Sequence, residues 1–393
     1  MKIVVAAYGS RGDVEPAIAV GAELLRRGHQ VCMAVTVPRE MRTYADSAGL
    51  VSVPYGRDWQ ELLSDDDFTR MLQNPLSSLP QAVEYVAQVV AEKNTTLVSL
   101  TDGADLLVAG MTEQVPAANV AEYRGIPLAA LHFFPSTILQ TGSGEGGATT
   151  HADRVQRQAL GLPDEPEAGA RPLEIQAYDE LCVPALAAQW AAEDDRRPFV
   201  GALTLQLPTD TDDEVLGWIA AGPPPVYFGF GSTPVAAPAD TIAVIGAACS
   251  RVGARAVICM GANDCGDVAS AEHVKVVREL NHAAVFPACC AVVHHGGAGT
   301  TASGLRAGTP TLILWNGLDQ PMWATAIGHL EVGFGRRFSD STLDSLTADL
   351  GRILSPHYAV RAGEIASKMR TPAESLTRAA DLLEDAAHGR TGG

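Results

Sequence analysis

Apolar runs of strand length that end in glycine and pass straight into a helix recur along this chain. They narrow the possible folds more than any other feature. Ile3 to Ala7 is a continuous apolar run, and the turn Gly9 to Asp13 follows it. Val226 to Phe230 ends at Gly231-Ser232, and Ala291 to His294 runs into His295-Gly296-Gly297-Ala298-Gly299-Thr300. Continuous rather than alternating apolarity is the pattern of a parallel strand covered on both faces. After the first run, Pro16 fits a first helical turn, Ile18, Ala22 and Leu25 share a helical face, Gly28 stops the helix, and Val31 to Val35 reads as the next strand. Further units follow: strands at Ala104 to Ala109 and Pro127 to His132 around a helix at Ala117 to Tyr123. In the second half come a helix at Ala239 to Val252, strands at Ala256 to Met260, Val274 to Val277 and Thr311 to Trp315, and a helix at Thr300 to Ala307. The expectation is an α/β chain with two doubly wound, Rossmann-like parallel sheets facing across a cleft.

A chain of 393 residues suits two domains, and its 47% apolar content is ample for two cores. The glycine-rich "TGSGEGGATTHADR", within Gln140 to Ala170, reads as a mobile loop. The irregular, charged stretch "AAEDDRRPFVGALTLQLPTDTDDE" marks the boundary, giving domains 1–204 and 205–371, and Pro223-Pro224-Pro225 stiffens entry into the second. The tail 372–387 reads as an amphipathic helix, with Leu376, Ala379 and Leu383 on one face, placed to fold back on the first domain.

The net charge of −18 argues against nucleic acid and against anionic membrane surfaces as partners, since both are polyanions. It leaves open an anionic ligand held locally by backbone donors. The N-terminus reads as a strand rather than a secretory signal, and no apolar run reaches the ~20 residues that span a bilayer. The seven cysteines (Cys32, Cys182, Cys249, Cys259, Cys265, Cys289 and Cys290) form no CxxC pair and read as free, mostly buried thiols. A cytoplasmic location is expected, with at most peripheral attachment at the inner membrane face; the oligomeric state is left open.

Four motifs carry the candidate chemistry. In "HHGGAGTT", a strand meets a glycine turn and a helix N-terminus, where exposed N–H groups and the helix dipole favour a phosphate. A tight βα connection with a satisfied histidine is the alternative. A shared metal is disfavoured, because neighbours on a strand face apart. "FGFGST" offers a second glycine turn, with Gly231 and Ser232, that could close a diphosphate from the other side or serve only as a capped turn. In "LILWNGLDQPMWA", Asp319 and Gln320 either grip sugar hydroxyls or start a helix. "GSRGDVEP" places Asp13 on a loop at the end of the first strand as a general base or as a helix N-cap, with Arg11 able to orient something anionic. The Asp-x-Asp within "SDDDF" reads as an acidic helix start rather than a metal–diphosphate site. There is no GxSxG elbow and no P-loop.

In this order, "GSRGDVEP", "FGFGS", "HHGGAGTT" and "DQP" resemble the GT-B glycosyltransferases that use nucleotide-sugars, the group that includes sterol and antibiotic glycosyltransferases. "EIQAYDELCVPALAAQW", "RRPFVGALT" and "HVKVVRELNHAAVFPACCAVVHHGGAGTTASGLRAGTPTLILW" are similar to mycobacterial enzymes that decorate glycopeptidolipids. The resemblance implies Asp13 as the base that deprotonates an acceptor hydroxyl. Ser10, Arg11 and Gly12 would lie near the donor phosphates, and Gly231, Ser232, His295, Gly297, Gly299 and Thr300 would hold the diphosphate. Leu280, Asn281 and His282 would line the base pocket, and Asp319 and Gln320 would bind the transferred sugar. Candidate acceptor contacts are Glu113, His132 and Phe133. It implies inverting transfer without a metal or other cofactor, from a nucleotide-sugar donor to a hydrophobic or lipopeptide acceptor.

Two departures from the pattern matter. Ser303 stands where related plant enzymes carry a Glu on both ribose hydroxyls, which suits a deoxyribose and hence a dTDP-6-deoxyhexose donor. The stretch Gln140 to Gln158 is shorter than the aromatic-rich acceptor segment of similar enzymes. The alternatives are a UDP-glucose-dependent sterol or secondary-metabolite glucosyltransferase, a nucleotide-sugar epimerase and a non-catalytic auxiliary partner.

Overall fold

The side chains of Ile3, Val4, Val5 and Ala6 are wholly shielded from solvent, as a central parallel strand requires. They belong to β1 (Lys2–Ala6), which lies in a six-stranded sheet with β2 (Gln30–Ala34), β3 (Val51–Val53), β4 (Leu106–Ala109), β5 (Leu128–His132) and β6 (Leu173–Gln176). The order is β3-β2-β1-β4-β5-β6, and every pairing is parallel. A second parallel sheet holds β7 (Val226–Gly229), β8 (Ala256–Cys259), β9 (Val274–Val277), β10 (Ala291–His294), β11 (Thr311–Trp315) and β12 (Gly333–Arg337). Its order is β12-β11-β10-β7-β8-β9. Counted within each sheet, both follow the doubly wound sequence 3-2-1-4-5-6. The winding direction reverses between β1 and β4 in one sheet and between β7 and β10 in the other. Ligands of such sheets bind at that reversal, beyond the carboxyl ends of the strands.

The computed structural model describes residues 1–37, 41–56, 91–137, 147–165, 172–193, 195–231, 233–235, 237–261, 263 and 271–389. Two compact units make up the chain: Met1–Ala177 with Ala187–Leu203 and Pro372–Gly393, and Tyr178–Leu186 with Thr204–Thr371. In the first, the helix Pro372–Ala387 buries Ser375, Ala379, Ala380, Leu383 and Ala386. Arg27, at the end of the helix Arg11–Arg26, donates to Asp381 Oδ1 (2.7 Å) and to the Thr377 carbonyl (3.0 Å), and the His29 ring meets Glu384 Oε1 at 2.8 Å. The thiols of Cys182, Cys249 and Cys289 are buried, and burial pushes each up to about 12. Cys265 and the Asp-x-Asp at 64–68 lie outside the described residues.

The first helix begins at Arg11, so Asp13 lies within its first turn and not on a loop. The cause is a capping box between Ser10 and Asp13, which starts the helix several residues before Pro16. The helix buries Val14, Pro16, Ala17, Ile18, Ala19, Val20, Gly21 and Leu24; Ile18 is thus buried as expected, while Ala22 and Leu25 on its face are only half-buried. The glycine-rich loop expectation also fails in part, because Gly147–Leu160 is a helix. Tertiary packing overrides composition there: Ala152, Gln156 and Arg157 are buried, and the Arg157 guanidinium donates to Asn119 Oδ1 (2.7 Å) and to both Glu122 carboxylate oxygens (2.9 and 3.0 Å) on the helix Gln114–Arg124. Three edge-side strands carry no strong sequence signal. β3 is three residues and mostly exposed, β6 is half-exposed, and β12 contains two glycines. A Cβ at Gly335 would meet the Ala324 methyl at 2.6 Å, so that glycine admits the helix Gln320–His329 against the strand.

Candidate active site

At the reversal of the second sheet, β7 and β10 end side by side, and each runs into a glycine turn. Gly231 holds φ +58°, a left-handed conformation that favours glycine. A Cβ there would lie 2.6 Å from His295 Cε1, and a Cβ at Gly297 would lie 2.7 Å from His295 Nε2. The His295 imidazole is therefore seated between the two turns, and both positions need to be bare for it to fit. Gly261, at the end of β8, is also left-handed (φ +60°) and packs against the Gly231 carbonyl. Gly296, at φ +96°, leaves room for Ile313 Cγ2 (2.8 Å) and for Gln320 Cβ (3.0 Å). One edge of the sheet thus gathers all four strand ends, β8, β7, β10 and β11.

The helix Ala298–Ala307 starts at this edge, with Gly297 as its N-cap and no side-chain cap. Gly299 is exposed, and a Cβ on it would meet nothing nearer than Thr204 Cγ2 at 3.9 Å. The Thr300 hydroxyl makes no hydrogen bond among the described residues. Uncapped first-turn N–H groups, open space above Gly299 and an unengaged hydroxyl together suit an anion. Thr301 is turned inward, its hydroxyl donating to the Gly297 carbonyl at 2.9 Å. Ser303 donates to the Gly299 carbonyl at 2.9 Å.

The two histidines face apart, with ring centroids 6.1 Å apart and planes at 83°. His294 is buried in the sheet, and its Nδ1 accepts the Gly296 N–H at 3.0 Å, which places the proton on Nε2. Burial, then the neighbouring His295 and His282 rings, hold it well below the usual histidine range. Burial brings His295 down to about 4, so it is neutral at physiological pH.

Asp319 and Gln320 follow β11 at the same edge. Asp319 precedes the helix Gln320–His329 as its N-cap residue, but its carboxylate does not cap the backbone. Its Oδ2 instead accepts the indole N–H of Trp323 at 2.8 Å. Gln320 Oε1 accepts the Asn316 N–H (2.7 Å) and reaches the Gly317 N–H (3.4 Å), so the amide NH₂ is directed away from the turn. Leu318, just before Asp319 and Gln320, is 84% exposed and left-handed, with φ +57°.

The segment expected to line a base pocket is partly committed to the protein. Leu280 is buried with Val285, Phe286 and Val292. The Asn281 side chain caps the Ala283 N–H (3.1 Å), its own N–H donates to the buried Asp212 (2.9 Å), and His282 stacks on Phe286 with ring centroids 4.5 Å apart. Ser232 lies outside the described residues.

In the first unit, β1 and β4 end together at the other reversal. Asp13 Oδ2 accepts the Ser10 N–H and the Ser10 hydroxyl, both at 2.8 Å. Burial raises the Asp13 carboxyl above its ordinary value against the lowering effect of those bonds. Gly9, at φ +135°, leaves room for the carboxylate, since a Cβ there would lie 2.5 Å from Asp13 Oδ2. Gly12 meets only Ser10 Oγ at 3.7 Å. Arg11 pairs with Glu15 at 2.9 Å along the same helix.

The acceptor candidates require correction. Glu113 is 1% exposed and is no available contact: it pairs with the buried Lys93 (2.8 Å) and accepts the Tyr55 hydroxyl (2.7 Å). Lys93 in turn lies 3.5 Å from the Tyr8 ring centroid. His132 and Phe133 are buried as well, and desolvation keeps His132 below its usual range. A lone Lys in "AEKNTT" reads as surface, so nothing in the sequence marks this network. Trp323 was equally unmarked, although its spacing of four from Asp319 on a helix start is the signal that could have found it.

Two Rossmann-like units, each with its ligand-binding edge at a β1–β4-type reversal, define the GT-B class. Comparison with known proteins agrees. Residues 3–142 match the glycosyltransferase family 28 N-terminal domain, and 243–382 match the erythromycin biosynthesis protein CIII-like C-terminal domain. An uncharacterised glycosyltransferase of Mycobacterium tuberculosis is 52% identical over 98% of this chain and 99% of its own. The vancomycin aglycone glucosyltransferase of Amycolatopsis orientalis is 29% identical over 98% of each. The crystal structure of the glycosyltransferase VinC in complex with dTDP superposes with a TM-score of 0.68 at 18% identity, covering 99% of this chain and all of that one. The chain belongs to the same glycosyltransferase family as its mycobacterial relative and is a glycosyltransferase. Among the described residues, no helix is long and apolar enough to cross a membrane.

Proposed function

We propose that this enzyme transfers a 6-deoxyhexose from a dTDP-sugar to a hydroxyl of a hydrophobic, glycopeptidolipid-type lipopeptide, with inversion and without a metal or other cofactor. One observation carries the reading. The uncapped helix N-terminus at Gly297–Thr300, the His295 ring seated between Gly231 and Gly297, and the Asp319–Gln320 pair all lie at one sheet edge. That edge offers donors for a diphosphate and a polar pair for the sugar beyond it. Asp13 takes the proton of the acceptor hydroxyl, and the oxygen attacks the anomeric carbon as the bond to the diphosphate breaks. First-turn N–H groups, the Thr300 hydroxyl and the neutral His295 ring stabilise the charge that develops on the leaving group.

The nucleotide follows from Ser303, whose short side chain folds back on its own helix and brings no carboxylate to a ribose. The dTDP held by VinC is in keeping with that choice. A donor screen with matched uridine and thymidine sugars, read by mass spectrometry on a deglycosylated lipopeptide, tests it. The expected result is thymidine-sugar preference of roughly tenfold or more, the scale of one hydroxyl's worth of discrimination. Ser303→Glu should narrow or reverse that preference; equal use of both nucleotides by the parent enzyme contradicts the assignment. Product in the presence of a chelator, and none from donor alone, separates metal-free transfer from epimerisation.

A further inference from the structure

We infer that Trp323 is the positioning residue that sets how the transferred sugar is gripped, by fixing the Asp319 carboxylate from behind. The inference rests on the reading of Asp319 and Gln320 as the sugar-binding pair and adds what holds them.

A carboxylate at a helix N-cap position ordinarily turns in to accept first-turn N–H groups. Asp319 does not. Its Oδ2 is bound to Trp323 Nε1 at 2.8 Å, one turn along the helix, and its backbone is in the αR region (φ −76°, ψ −17°). The indole is 2% exposed and cannot move away. Its ring is met edge-on by Tyr178, with centroids 6.0 Å apart and planes at 79°. Tyr178 is itself buried and opens Tyr178–Leu186, the part of the first half of the chain that belongs to the second unit. The Asp179 side chain caps the next turn by accepting the Leu181 N–H at 3.0 Å, which fixes that segment locally.

The turn in front of Asp319 is organised in the same direction. Gln320 Oε1 ties down the Asn316 and Gly317 N–H groups, and Leu318 takes a left-handed conformation that a branched side chain adopts only under constraint. Gly296 lets the phosphate turn abut Gln320. The backbone strain and the diverted carboxylate are explained together if the turn exists to present Asp319 and Gln320 at a set angle. A buried ring with one N–H donor provides that angle without itself reaching the sugar.

The experiment uses the full-length enzyme and three variants: Trp323→Phe, Asp319→Ala and the double variant. Phenylalanine keeps an aromatic ring against Tyr178 and removes the N–H. Donor kcat/KM and the Kd for dTDP, which lacks the sugar, are measured for each. Trp323→Phe should lower donor kcat/KM roughly tenfold, the scale of one hydrogen bond to a charged group, while the Kd for dTDP stays within about twofold. In the Asp319→Ala background it should have no further effect, because its role passes through that carboxylate. Loss of dTDP affinity in step with donor affinity overturns the inference and makes Trp323 a general support of the unit. Full effects that add in the double variant, or an unchanged kcat/KM in Trp323→Phe while Asp319→Ala is impaired, also overturn it and leave the sugar-pair reading intact. An Asp319→Ala enzyme of parental activity overturns the reading underneath.

Discussion

Asp13→Asn should lower kcat by about 10²–10⁴-fold, the contribution of a positioned general base, while dTDP binds as before. The prediction separates two roles that the sequence left in competition, because the structure shows both. Asp13 forms a capping box with Ser10, and it is also a half-buried carboxylate at the reversal of the first sheet. Asparagine preserves the first role: its carbonyl oxygen can accept the Ser10 N–H, and its NH₂ can donate to the Ser10 hydroxyl. It abolishes the second. If capping were the whole function, Asp13→Asn would remain active and only Asp13→Ala would suffer.

The stability readout has a definite sign. Burial raises the Asp13 carboxyl in the folded protein above its unfolded value. Its ionisation therefore opposes folding, and the native state gains relative stability as pH falls through the raised folded value toward 3.8. Above that window the charge is a standing cost, which Asn removes. The variant should thus melt no lower than the parent at pH 7, and the difference between the two should shrink in acid. Activity of the parent should fall on the acid side as the base is protonated. Thermal melts and a kcat pH profile check both limbs. A variant that is both inactive and markedly less stable at pH 7 would return Asp13 to a structural role.

The central strands were legible because the pattern there depends only on burial. The inner strands β10 (Ala291–His294) and β11 (Thr311–Trp315) were placed to the residue, and so was the edge strand β9 (Val274–Val277), whose valines at 274, 276 and 277 keep an apolar signature despite Lys275. β3, β6 and β12 were not, because β3 is only three residues and mostly exposed, β6 is interrupted by Glu174 and Gln176, and β12 alternates glycine with Phe334 and ends in two arginines. The helix Gly147–Leu160 was hidden for a different reason: its polar residues Gln156 and Arg157 are satisfied by Asn119 on the helix Gln114–Arg124, a tertiary fact that composition does not contain. In the site, the glycine turns were readable and their purpose was only partly so. Sequence logic assigned bare backbone to a diphosphate, and Gly299 fits that account. Gly231 and Gly297 have a second cause, the seating of the His295 ring, which is a contact between turns some sixty residues apart in sequence and has no local signal. Lys93 was invisible for the same reason, whereas Trp323 did leave a local trace in its spacing of four from Asp319.

That second cause leads to the other large effect. Gly231→Ala should lower donor kcat/KM by about 10²–10³-fold, comparable to loss of a donor from the leaving-group site. Two terms contribute. Alanine at φ +58° costs about 1 kcal/mol in left-handed backbone strain. Its methyl would also lie 2.6 Å from His295 Cε1, 3.1 Å from Nε2 and 3.2 Å from Nδ1, so the ring must leave its seat. Strain alone is worth about a factor of five to ten in an equilibrium, so it cannot supply the whole loss, and displacement of the imidazole must. A double-mutant cycle tests that division. His295→Ala should by itself cost about as much as Gly231→Ala. In the His295→Ala background the clash partner is gone, and Gly231→Ala should then cost no more than its strain, so the two losses fall far short of additive. His295→Gln retains an N–H donor and should recover part of the activity. Because the ring is held neutral by burial, near 4, this contribution should not titrate between pH 6 and 8. Fully additive losses in the cycle would mean that Gly231 serves the diphosphate directly and that its contact with His295 is incidental.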